Sequence, residues 1–145
     1  MEVRARTFVL ASPERVYDAL ATPEGLNGWF TSEAVLEARP GGRLHLVWRD
    51  WGVDRTTVED DGHVVEASRP DRLVWRWHPD TPSYTTEVAV TLQPRDGGTV
   101  VEVVESGFAT DEGGRAAFVQ NAVGWGEALT LLKVYLEYGI RARWR

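Results

Sequence analysis

"AVGWGEALTLLKVYLEY", residues 122–138, reads as the main part of a long helix. Phe118, Ala122, Trp125, Leu129, Leu132 and Leu136 fall in one narrow stripe at helical spacing, which predicts a helix from about Arg115 to Tyr138. Two glycines, Gly124 and Gly126, flank Trp125 inside it. Each costs about 1 kcal/mol relative to alanine in a helix interior, so helix stability alone does not place them there. They lie about 100° to either side of Trp125 around the helix axis. A strand or a ligand can therefore approach the helix backbone beside the indole, and both readings put Trp125 where the helix meets the rest of the fold.

An amphipathic helix of this length needs an apolar surface to cover, and the preceding sequence supplies a sheet. "VRARTFVL" (3–10) alternates as a first strand. "SPERVYDAL" and "TPEG" then open two short helices, with Ser12 and Thr22 as N-caps and Pro13 at a first helical position. After Phe30 the period changes from 3.6 to 2. "EAVLEA" is a short strand, and "RLHLVWR" (43–49) puts Leu44, Leu46 and Trp48 on one face. "RTTVEDDGHVVEA" is a longer strand expected to bend at Asp61-Gly62, with Asp60-Asp61 read as a solvated turn. "LVWRW" turns Leu73, Trp75 and Trp77 one way, and "YTTEVAVTLQP" does the same with Val88, Val90 and Leu92. "RDGG" is a hairpin turn leading into "TVVEVVESGF", and "ATDEGG" is a loop before the last helix. The expected fold is α+β: a curved antiparallel sheet wrapped around one long C-terminal helix, with two short helices after the first strand.

Composition bounds the function. The 145 residues, 43% hydrophobic and 26% charged, suit a single domain spanning 1–145. The N-terminal apolar run is too short for a signal peptide or a membrane span, so a cytoplasmic protein without membrane insertion is expected. With no cysteine, disulfides and thiolate chemistry are excluded. The net charge is −6 and the one basic cluster is terminal, Arg141, Arg143 and Arg145, which reads as a tail complementing the helix dipole. No nucleic-acid partner is expected. His45, His63 and His78 lack paired-ligand spacing, so no metal is expected, and without a phosphate-binding loop no cofactor is expected either.

The order of elements resembles the START-like, or Bet v 1-like (SRPBCC), helix-grip superfamily. Within it, "ASPERVYDALATPEGLNGWF", "ARPGGRLHLVW", "RPDRLVWRW", "VTLQPRDGGTVVEVVESGF" and "GWGEALTLLKVYLE" are similar to the bacterial homologues of the C-terminal domain of the activator of the heat-shock-protein-90 ATPase, over residues 3–138. The resemblance implies a cavity between sheet and helix that often holds an apolar molecule. It also implies a link to the stress response and a heat-shock chaperone as partner, although this chain has no room for the N-terminal module of the long activators.

Trp48, Trp75 and Trp77 lie on the expected inner face, and Trp125 faces them from the helix. Each ring alone reads as core; the four together read as a shared cavity wall. Glu105 follows Val101 and Val103 at a spacing of two, so its carboxylate turns inward. Burial raises the pKa of such a group unless an arginine or an indole N–H partners it. His63 shares the face of Val65 and is expected to look inward as well.

Three functions follow. The first is a carrier or sensor of a small hydrophobic molecule, lipid-like or aromatic, bound by Trp48, Trp75, Trp77, Glu105, Phe108, Phe118, Trp125 and Leu129. The second is a cyclase- or hydrolase-like enzyme using Glu105 with His63 as acid–base groups. The third is a co-chaperone-like interaction module or homodimer using Val119, Val123 and Val134 on the back of the last helix.

Overall fold

The computed structural model describes residues 1–142. Arg143 and Arg145 of the basic tail lie outside them. Seven strands form one antiparallel sheet: β1 (Glu2–Val9), β2 (Glu33–Leu36), β3 (Arg43–Trp51), β4 (Thr56–Ser68), β5 (Arg72–Trp77), β6 (Thr86–Arg95) and β7 (Gly98–Ser106). Their order across the sheet is β1-β7-β6-β5-β4-β3-β2. Helices α1 (Pro13–Ala21) and α2 (Pro23–Trp29) follow β1, and α3 (Glu112–Tyr138) closes the chain. This is the architecture expected from the change of period.

Local chemistry sets the boundaries. The Ser12 hydroxyl accepts from the Arg15 amide (3.2 Å) and the Thr22 hydroxyl from the Gly25 amide (3.0 Å), capping α1 and α2. At the β6–β7 hairpin, Asp96 and Gly97 both have positive φ (48° and 78°), the pattern of a tight primed turn. Helix α3 begins at Glu112, a turn earlier than Arg115. The segment read as a loop supplies an N-cap instead: Asp111 accepts from the Gly114 amide at 2.8 Å. Gly139, at φ 68°, ends the helix in a left-handed cap.

The core lies between the concave face of the sheet and the stripe Trp125, Ala128, Leu129, Leu132 and Leu136 of α3. Val88, Val90, Val101 and Val103 meet it from the sheet. Lys133 fastens the helix to the end of β1: its ammonium donates to the Phe8 carbonyl and to Glu137, and Glu137 also accepts the Leu10 amide at 3.0 Å. These contacts hold the Glu137 carboxyl below its ordinary value.

Three expectations about β4 are corrected. Pairing with β3 runs in regular register through Asp61-Gly62, and the irregularity lies between Val64 and Glu66 instead. Gly62 serves close approach, because a Cβ there would lie 2.1 Å from the Arg76 carbonyl oxygen of β5. Val64 is therefore the residue that turns inward, and His63 and Val65 are exposed on the outer face. Asp60 is likewise no solvated turn, since it sits within β4 and is held by the His78 ring and backbone amide at 2.6 and 2.9 Å.

On the outer face, His45 has Asp61 at 2.7 Å from one ring nitrogen and Glu59 at 2.9 Å from the other. The Asp61 hydrogen bond, with both nearby carboxylates, holds its pKa above the ordinary 6.5. A raised pKa means that the folded state gains from protonation. The gain is fully present below the ordinary value and is lost as pH rises through the raised one. The urea midpoint is thus expected to fall as pH rises from about 6 through the His45 titration. Asp61→Asn should flatten that dependence, and an unchanged profile would contradict the pairing.

Candidate functional site

Glu105 of β7 stands at the register position opposite Val88 on one side and Val3 on the other, with its side chain on the concave face. It is 0% exposed. Trp77 closes β5 and Thr86 opens β6 directly opposite it, and Trp125 comes down from α3. One carboxylate oxygen, Oε2, accepts from the Trp77 indole N–H (2.9 Å) and the Thr86 hydroxyl (2.6 Å). The other, Oε1, accepts from the Trp125 indole N–H at 2.8 Å. Of the partners the sequence allowed, indole N–H groups are the ones used. Charge-assisted bonds of this kind are short and directional, and here they fix two indole planes from behind.

The fixed rings form one side of an aromatic cluster. Trp77 and Trp125 stack at 5.7 Å between centroids and 26° between planes. Phe30, at the end of α2, stacks on Trp125 at 6.1 Å and meets Trp48 edge-on at 5.2 Å. In front of them lies an open cavity of about 330 Å³ between the sheet and α3. Phe30, Trp48, Trp51, Trp77 and Trp125 supply its aromatic wall, while Gly124, Glu127 and Ala128 form its helical side. Apart from its chain neighbours and the helix's own backbone, nothing lies within 4 Å of where a Cβ on Gly124 or Gly126 would stand. Close packing against a strand therefore does not explain either glycine. Gly124 opens one wall of the cavity, and Gly126 is exposed.

The other residues expected at the site are distributed differently. Trp75 is buried beneath the wall, edge-on to Trp77 at 5.6 Å. Leu129 is core. Phe108 and Phe118 form a separate edge-to-face pair at 5.5 Å, outside the cavity lining. Glu105 touches the cavity only through the indoles that it holds.

Three lining residues were not legible as such. Trp51 is out of phase with Leu44, Leu46 and Trp48 because the β3 register shifts after Trp48, where Asp50 takes φ 52°. Phe30 ends a helix too short to show a period. Glu127 lies outside the apolar stripe, but with Gln120, Asn121, Gly124 and Ala128 it makes a second row at helical spacing beside Trp125. Burial alone pushes the Glu127 carboxyl above its ordinary value.

A family model described as "Activator of Hsp90 ATPase homolog 1-like protein" matches residues 10–137. The chain belongs to that family. Its structural relatives share the fold over nearly the whole length. The Aha1 dimer from Colwellia psychrerythraea is 22% identical with a TM-score of 0.76, covering 96% of this chain and 98% of that one. A protein from Rhodobacter sphaeroides is 29% identical with a TM-score of 0.76, covering 93% and 91%. CalU16 from Micromonospora echinospora is 24% identical with a TM-score of 0.73, covering 95% and 77%. The family member described here thus has the helix-grip fold of the START/Bet v 1-like superfamily. No curated protein matches its sequence. Among the described residues, no helix is long and apolar enough to cross a membrane.

Proposed function

We propose that this one domain binds a small hydrophobic molecule in the cavity between sheet and α3, as a carrier or sensor. The observation that carries the reading is the aromatic wall, two of whose indoles are held by a carboxylate behind them, lining an open cavity of about 330 Å³. That volume falls at the small end of the range for ligand pockets, and a mostly apolar lining with few polar groups is what such pockets share.

The acid–base reading has less support. A general base must come within about 3 Å of the proton it takes, directly or through one water. Glu105 is enclosed with both oxygens engaged, and His63 stands on the opposite face of the sheet. Self-association has one supporting feature, the exposed Val119 and Val123 on α3, at 58% and 68%. The Colwellia relative is described as a dimer.

Titration with a neutral apolar probe, N-phenyl-1-naphthylamine, tests the binding reading. Saturable quenching of tryptophan emission is expected, with the probe's own emission rising in step. Probe emission that stays at its aqueous level throughout, with no change in tryptophan emission, would overturn it.

A further inference from the structure

We propose that the cavity selects organic cations, molecules with an apolar body and an alkylammonium head held between the Trp48, Trp77 and Trp125 rings and the Glu127 carboxylate. This rests on the binding reading above and adds the ligand's charge.

The N–H edges of Trp77 and Trp125 are turned to Glu105 and the two rings stack on each other, so these indoles offer the cavity aromatic carbon but no hydrogen-bond donor. An indole donating to a carboxylate is polarised by it, which adds electron density to the ring. Asn121, also in the lining, has its amide donor engaged by the Pro79 and Ala117 carbonyls at 3.2 and 2.8 Å. Aromatic faces, indole above all, attract a cation lying over them, and quaternary ammonium groups are recognised in this way.

The charges agree. Among the described residues, Glu127 is the one ionisable side chain of the lining, with no lysine, arginine or histidine there to neutralise it. A second carboxylate, Glu105, lies directly behind the wall. A carboxylate left in a partly desolvated site gains when a ligand brings the missing positive charge. An anionic head group meets the reverse: repulsion from Glu127, with the donors of Trp77, Trp125 and Asn121 already engaged elsewhere. Fatty-acid-like anions are therefore disfavoured, neutral molecules are tolerated, and cations are preferred.

The test displaces bound N-phenyl-1-naphthylamine with three ligands of one chain length below their micelle concentrations: octyltrimethylammonium, octanol and octyl sulfate. Octyltrimethylammonium is expected to displace the probe at about tenfold lower concentration than octanol, with octyl sulfate weakest. Within the Glu127→Gln variant the cation should lose its advantage over octanol, and saturable probe emission reports that the cavity is intact. Equal displacement by all three heads overturns the inference and leaves the binding reading standing. A cation advantage that survives Glu127→Gln overturns the role of that carboxylate. If the probe itself does not bind, the binding reading fails first, and the inference with it.

Discussion

Replacing Glu105 by alanine is expected to lower the stability of the fold by about 3–5 kcal/mol, among the larger effects available to one substitution. The carboxylate accepts from three buried donors, and alanine leaves the two indole N–H groups and the Thr86 hydroxyl without an acceptor. Each orphaned buried donor costs about 1–3 kcal/mol, and the threonine can relieve part of its share by rotating its hydroxyl. Glutamine is the informative control. Its amide keeps one acceptor oxygen, but its NH2 group must face a donor on the other side, so a cost of about 2 kcal/mol is expected. Urea unfolding at a constant m-value measures both. Losses near zero for both variants would contradict the arrangement around Glu105.

Trp125→Ala should be comparably damaging to the fold, about 3–5 kcal/mol, because a buried indole is removed from a packed stripe. Its effect on binding distinguishes a cavity wall from plain core. With the wall gone, N-phenyl-1-naphthylamine should bind at least about tenfold more weakly in whatever fraction remains folded. Trp125→Phe separates the two roles of the residue. Phenylalanine keeps an aromatic face toward the cavity but leaves Glu105 Oε1 without its donor. It should retain most of the binding while losing about 1–3 kcal/mol of stability. Wild-type affinity in Trp125→Ala would show that the ring does not form the wall.

What the sequence made legible was periodic. The switch from 3.6 to 2 after Phe30 marks where the helices give way to the sheet, and the spacing of Val101, Val103 and Glu105 places the carboxylate inward without any knowledge of its partners. The failures have local causes. His63 was misplaced because the β4 register shifts one step beyond it, and a one-residue slip moves a side chain to the other face. Trp51 was missed for the same reason in β3. The donors that meet Glu105 come from β5, β6 and α3, elements distant in sequence, so only the register of three strands reveals that Trp77 and Thr86 stand opposite each other. The glycines beside Trp125 posed the right question, and the structure answers it with open space at Gly124.

An apolar molecule bound as proposed sits against the Trp48, Trp51, Trp77 and Trp125 side of this cavity. The most direct measurement is the indole N–H region of a 15N-correlated NMR spectrum, assigned by single tryptophan-to-phenylalanine variants, during titration with N-phenyl-1-naphthylamine. Shifts are expected to concentrate in the indoles of these four residues, while the Trp29 indole, which donates to the Ala19 carbonyl at 2.8 Å and is not part of the cavity lining, stays in place. Saturable binding that leaves the Trp48, Trp51, Trp77 and Trp125 signals unmoved would contradict this placement.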